Sequence, residues 1–121
     1  MKTLLINGSA HEHGCTYTAL AEVEGALKRH GIETEMFWIG NKPIAGCIAC
    51  MSCQKTEKCV QQDKVNEVIE KLDSIDAVVI GSPVYFAGPN GALLSLLDRV
   101  FYALKDVTFL KGKPAASVAC C

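Results

Sequence analysis

Lys2-Thr3-Leu4-Leu5-Ile6-Asn7-Gly8-Ser9-Ala10-His11-Glu12-His13-Gly14-Cys15-Thr16 is the stretch on which the fold turns. Its short apolar run breaks at Gly8-Ser9, and beyond the polar loop Leu20, Val23, Ala26 and Leu27 recur at helical spacing. That order reads as strand, loop, helix. Lys28-Arg29-His30 put basic side chains in the last turn and Gly31 follows, so the helix is expected to stop there.

Downstream, the pattern repeats. Glu33 to Ile39 is short and rich in β-formers, as for an edge strand whose glutamates face water. Asp63 is placed to cap a helix with Val65, Val68, Ile69 and Leu72 on one face, and Asp76-Ala77-Val78-Val79-Ile80-Gly81 reads as a buried strand. Asn90 is placed to cap a helix carrying Leu93, Leu94, Leu97, Val100 and Phe101, and Pro114 to Cys121 reads as a fourth strand. Alternating strands and helices imply βαβ units with right-handed crossovers, hence an α/β fold with a doubly wound parallel sheet and helices on both faces. Such a sheet normally continues past a fourth strand, so the expectation is a three-layer α/β/α sheet shortened at its C-terminal side.

Composition narrows the classes. With 121 residues, half of them hydrophobic, one core and one domain over 1–121 are expected. Twelve basic against thirteen acidic residues leave a net charge of −1, with no single-sign field to draw nucleic acid or an anionic membrane. Leu4-Leu5-Ile6 is too short for a signal-peptide core, and no run approaches the roughly 20 apolar residues of a membrane span. A cytoplasmic location is expected, where seven cysteines read as metal ligands or redox groups rather than as a disulfide framework.

Two loops follow strands directly. Gly8 to Thr16 lies between strand and helix, where backbone N–H groups and the helix dipole converge on an anion. The hydroxyls of Ser9 and Thr16 can donate to phosphate, and a protonated His11 can add a charge-assisted donor. An ordinary turn with a threonine cap is the plainer alternative. Neither G-x-G-x-x-G nor Walker A spacing occurs, which favours a mononucleotide over NAD or ATP as the tightly held ligand. Gly81-Ser82-Pro83-Val84-Tyr85-Phe86-Ala87-Gly88-Pro89-Asn90 follows the third strand, at the carboxyl edge where open α/β sheets bind ligands. A stiff, aromatic loop of this kind can pack on a flat heteroaromatic ring, although a bare Tyr-Phe pair can equally cap a core.

The longest connection, residues 40–62, holds Cys47-x2-Cys50-x2-Cys53-x5-Cys59. Loops in such folds usually run about 2–6 residues, and much longer ones tend to be functional. Four thiols this close can reach several corners of a cubane cluster. A four-cysteine zinc site is a second reading, though zinc knuckles usually pair two C-x2-C units across a longer gap. Free thiols or a redox disulfide are a third. Lys42, Lys55 and Lys58 offset thiolate charge in any of these. Cys15, Cys120 and Cys121 lack a metal pattern and read as small buried hydrophobes.

Asn7-Gly8-Ser9 with Thr16, the cysteine run, Ser82-Pro83-Val84-Tyr85-Phe86 and Asp98-Arg99 together resemble the NADPH-dependent FMN reductase family, and within it the iron-sulfur flavoproteins. The resemblance runs along the entire chain. It implies a flavodoxin-like fold, FMN phosphate held near Ser9, His11, Cys15 and Thr16, and the isoalloxazine ring held by Pro83, Val84, Tyr85 and Phe86. It further implies a [4Fe-4S] cluster on Cys47, Cys50, Cys53 and Cys59, NAD(P)H as an electron donor, and a homodimer or larger assembly. Relatives usually carry Arg where His11 stands and Asn where Cys15 stands, which implies weaker, more pH-dependent phosphate binding here. They also continue with another flavin loop, a helix and a fifth strand, so the expectation is either that a partner subunit covers the open edge or that this is a truncated form with weak cofactor retention.

These expectations describe an FMN-dependent redox protein passing electrons between a donor, FMN and the cluster, with a small redox substrate or an electron-carrier protein as partner. No Ser-His-Asp set or carboxylate pair suggests a catalytic acid or base, so no catalytic residue is assigned. The alternatives are a cluster-free NAD(P)H-dependent FMN or quinone reductase, and a non-enzymatic electron carrier or zinc-stabilised binding protein.

Overall fold

A computed structural model describes residues 1–106 and 108–121, apart from the Phe109 side chain. Strand β1 (Lys2–Asn7) leads through a loop into helix α1 (Cys15–Arg29), followed by β2 (Glu33–Trp38). A short helix α2 (Cys53–Thr56) interrupts the long connection before α3 (Lys64–Leu72), β3 (Ala77–Pro83), α4 (Gly91–Ala103), a 3-10 turn (Thr108–Leu110) and β4 (Ala115–Cys120). All pairings are parallel, in the order β2-β1-β3-β4. This is the expected three-layer α/β/α arrangement of a flavodoxin-like fold.

Alternation along the strands builds the layers. Leu4 and Ile6 point to the face covered by α3 and α4, where Val65, Val68, Leu72, Leu93, Leu96 and Val100 are buried with them. Leu5 and Val79 point to the opposite face and pack against Leu20 of α1. Each such side chain taken fully out of water contributes about 1.5–3 kcal/mol.

The boundaries follow local chemistry. His30 closes α1, with Gly31 beyond it at φ 73°, as the basic last turn and the glycine imply. Asp63 Oδ1 accepts from the Val65 amide at 3.1 Å, and Asn90 Oδ1 accepts from Ala92 and Leu93, so both expected caps form. In α4 the buried stripe is Leu93, Leu96, Val100 and Ala103, whereas Leu94 and Phe101 are about half exposed. The helix carries two overlapping apolar stripes, and the sequence could not say which one faces the sheet.

Strand β2 lies at the sheet edge, but only one of its glutamates meets the expectation of facing water. Glu33 is exposed, whereas Glu35 is pinned by Lys71 Nζ at 2.5 Å and Lys2 Nζ at 2.9 Å. These hydrogen bonds, that of Lys71 foremost, hold the Glu35 carboxyl below the ordinary carboxylate range. A carboxylate depressed in the folded state adds stability that is fully present above its unfolded pKa of about 4.3 and is lost as pH falls through the folded value. Urea denaturation is therefore expected to show no Glu35 contribution to the pH slope between pH 7 and about 5. Stability should then decline below about pH 4.3, less steeply in Glu35→Gln.

Candidate functional site

Strand order places β1 and β3 side by side while their following connections lead to opposite sides, which opens a crevice at their carboxyl ends. The Gly8 amide donates to Gly81 O at 2.9 Å and locks the two loops together. A Cβ on Gly8 would sit 2.7 Å from that same carbonyl and 2.8 Å from Leu93 Cδ2, and one on Gly81 would sit 2.8 Å from Leu20 and Thr16. Glycine at both places is a packing requirement.

The first loop is held from within. Asn7 is fully buried, accepts from the Ser9 amide at 3.1 Å and donates to Glu12 O at 3.0 Å. Ser9 Oγ accepts from the His11 amide, and Trp38 Nε1 donates to Ser9 O at 2.8 Å. The Ser9 hydroxyl proton therefore remains available to a ligand. Unlike α3 and α4, helix α1 begins at Gly14 with no side-chain cap, and no acidic residue stands in its first turn. Among the described residues, no side chain accepts from its leading N–H groups.

Ser9, His11, Cys15 and Thr16 line one side of a cleft of about 180 Å³, and Pro83, Val84 and Tyr85 line the other. Seven of the eight residues expected to hold the nucleotide thus meet at one place; Phe86 does not line the enclosed volume and is 93% exposed. Tyr85 is 67% exposed, so neither aromatic caps the core. Ser82 shapes this loop by accepting from the Asn90 amide and donating to Pro83 O, and Val84 pairs with Pro89 across it. Cys120 and Cys121 complete the cleft. They and Cys15 are not buried hydrophobes as expected: Cys15 and Cys121 are exposed and Cys120 is half-buried. The register that pairs Pro83 with Cys120 brings the end of β4 to the carboxyl edge, where it faces the cleft.

A second site lies beyond α2. Cys47, Cys50, Cys53 and Cys59 line one small pocket of about 20 Å³, together with Arg99 and Tyr102 of α4. Cys47 and Cys50 are exposed, Cys53 is buried and Cys59 is half-buried. The backbone around Cys50 is left-handed at Ala49 (φ 52°) and Met51 (φ 61°), an unfavourable geometry for residues other than glycine. Donors meet three of the sulfurs. The Ala49 amide approaches Cys47 Sγ at 3.4 Å, and Arg99 donates to Cys59 Sγ. The Ser52 amide, joined by its hydroxyl, holds the Cys50 thiol below its ordinary pKa. Among the described residues, no three His, Cys, Asp or Glu side chains converge closely enough to hold a metal ion.

Arg99 was legible only as part of a resemblance. It is 2% exposed and bonds to both carboxylate oxygens of Asp63, at 2.6 and 3.0 Å. Burial alone would lower its pKa, but the hydrogen bonds and charges of Asp63 and Cys59 outweigh that and raise it. An arginine within an apolar helix pattern, 36 residues from an aspartate, was the available sequence signal.

A family profile described as NADPH-dependent FMN reductase matches residues 1–121. An iron-sulfur flavoprotein of Methanocaldococcus jannaschii is 37% identical over 99 residues, covering 82% of this chain and 51% of the relative. An iron-sulfur flavoprotein of Methanosarcina thermophila is 32% identical over 120 residues, covering 98% of this chain and 62% of the relative. The chain therefore spans between half and two thirds of the length of these relatives. Among solved structures, RosB with a bound intermediate, 8-demethyl-8-formylriboflavin-5'-phosphate, superposes with a TM-score of 0.76 at 18% identity, covering 99% of this chain and 52% of that one. At that identity the superposition speaks for the fold alone. Among the described residues, no helix is long and apolar enough to cross a membrane. On its family profile and the identity of its relatives, the chain belongs to the NADPH-dependent FMN reductase family.

Proposed function

We propose that residues 1–121 form a single FMN-binding redox unit, a flavin-dependent oxidoreductase whose cysteine loop at 40–62 carries a [4Fe-4S] cluster. The observation that carries the FMN reading is the cleft at the β1–β3 crevice, into which the uncapped start of α1, the Ser9 hydroxyl and the Pro83–Tyr85 loop all open. The enclosed volume suits the phosphate and ribityl end. The flavin ring would then rest on the loop outside it, against Tyr85 and Phe86, whose exposure otherwise has no structural return.

The cysteine loop fits an iron-sulfur group in its donor chemistry. Four thiols line one pocket and N–H or O–H donors meet three of them, which favours thiolates. At about 20 Å³ the pocket holds a water rather than a cubane, so cluster assembly would move the exposed Cys47–Met51 arm outward from Cys53 and Cys59.

When bound, FMN supplies exchange of electrons in pairs or singly, and the cluster exchange of single electrons. The protein's part is to hold them. Ser9 and the first turn of α1 would donate hydrogen bonds to the phosphate, Gly8 and Gly81 bring the two loops together, and Arg99 and Ser52 would stabilise thiolate charge. NAD(P)H as donor, a small redox substrate or electron-carrier protein as partner, a homodimer or larger assembly and a cytoplasmic location complete the proposal. The cluster-free reductase is the second reading, favoured by the lack of a converged metal-ligating group among the described residues.

Titration of the apo-protein with FMN and with riboflavin, followed by flavin fluorescence, tests the phosphate site. Loss of one hydrogen bond to a charged group is worth about 1.5–3 kcal/mol, so Ser9→Ala should weaken FMN about tenfold or more and leave riboflavin unchanged. Equal loss for both flavins would place the phosphate elsewhere.

A further inference from the structure

We propose that Arg99 is a positioning residue for the cysteine loop, fixing Cys59 where it can serve as a ligand and keeping N–H donors directed at its sulfur. The inference rests on the reading of the four cysteines as cluster ligands and goes beyond it, because it gives one ligand a different status from the others.

The hydrogen-bond accounting carries the argument. Arg99 Nε donates to Cys59 Sγ at 3.3 Å, and Nη2 approaches the same sulfur at 3.1 Å. Nη1 donates to Ala45 O at 3.0 Å and to Asp63 Oδ2, while Nη2 also approaches Gln61 O at 3.3 Å and Asp63 Oδ1. A guanidinium has five N–H groups, and six contacts are made, so at least one proton is shared and none is left for water.

The acceptors come from both ends of the cysteine run: Ala45 precedes Cys47, and Gln61 and Asp63 follow Cys59. One buried side chain on α4 therefore ties the entry and the exit of the loop to the same point. Asp63 is also the cap of α3, which anchors that point to a second helix. Asn66 completes the hold on Cys59, accepting from its amide at 2.7 Å and donating to its carbonyl at 2.9 Å.

The other side of the pocket is built differently. Cys47 and Cys50 are exposed, on an arm with two left-handed residues, and the arm's side-chain tie to α4 is the Tyr102 hydroxyl at Met51 Sδ, 2.9 Å. Cys59 is a fixed corner and the Cys47–Cys50 arm the adjustable one. Lysine cannot substitute for the fork: an ammonium keeps the charge but cannot direct N–H groups at a sulfur and a carboxylate in one plane. Hydrogen bonds to cluster sulfurs are among the determinants of reduction potential, and those from Arg99 should raise it.

The test compares wild-type with Arg99→Lys. Amide hydrogen exchange on the apo-protein reads the loop without any cluster. Segment 45–61 should exchange at least tenfold faster in Arg99→Lys, with β1 and β3 unchanged and FMN affinity retained. After anaerobic reconstitution with ferrous iron and sulfide, spectroelectrochemical titration should give a more negative midpoint potential in the variant, and a chelator should strip its iron faster. Unchanged exchange together with an unchanged potential would overturn the proposal. Should Arg99→Lys not fold, Asp63→Asn keeps the guanidinium beside Cys59 but removes its countercharge, so the potential should rise; no change there would also overturn it. Failure of the wild-type protein to take up iron would instead refute the cluster reading, while the exchange comparison still decides whether Arg99 fixes the loop.

Discussion

Replacing Arg99 with methionine is expected to lower the stability of the fold by about 2–4 kcal/mol in urea denaturation. Removing one member of a buried ion pair typically costs about 3–5 kcal/mol, because the partner charge stays behind. Here Asp63 keeps 27% of its side chain exposed, so water can take over part of its solvation and the expected loss is shifted below that range. The stranded groups are the Ala45 and Gln61 carbonyls and the Cys59 sulfur, all in the segment that carries the thiols. Asp63→Ala should cost a similar amount, since it removes both the countercharge and the cap of α3. The double variant should cost clearly less than the sum, because the two residues act through one another.

The second large effect is expected at Gly8. In Gly8→Ala the new methyl would sit 2.7 Å from Gly81 O, the carbonyl that the Gly8 amide itself uses, and 2.8 Å from Leu93. Leu93 is part of the packed core and the carbonyl is strand backbone, so neither yields without a shift of the crevice. Overpacking of this kind costs about 1–3 kcal/mol, and the displacement should weaken FMN binding together with stability. Gly25→Ala is the matching control. It lies inside α1, where the nearest contact of the new methyl is the Arg29 guanidinium at 3.5 Å. Alanine there should stabilise by about 0.5–1 kcal/mol through lower chain entropy in the unfolded state. Opposite signs for the two glycines, measured by thermal denaturation and flavin titration, would show that the crevice effect comes from close approach.

The layer architecture was legible because strand runs such as Leu4-Leu5-Ile6 and Ala77–Ile80 alternate with capped, periodic helices, and both caps read from sequence are formed. The cleft residues were legible for a related reason: Ser9 and Pro83 directly follow strands, and parallel strands deliver their following loops to one edge. What escaped depended on long-range placement. The choice between the two apolar stripes of α4 is made by the sheet beneath it. Glu35 found Lys71 across a helix, which strand periodicity cannot report. Cys120 and Cys121 reached the cleft through the register of β4 against β3. Arg99 lies 40 residues from Cys59, and nothing local marks that contact.

One chain is proposed to hold FMN at the β1–β3 crevice and an iron-sulfur group on its cysteine loop. Anaerobic reconstitution with FMN, ferrous iron and sulfide, followed by the visible spectrum with flavin, iron and sulfide analysis, tests it most directly. Flavin bands over a broad iron-sulfur absorption are expected, with about one FMN and about four iron and four sulfide per chain. A protein that fails to take up FMN, or that takes up FMN but no iron, would contradict this proposal.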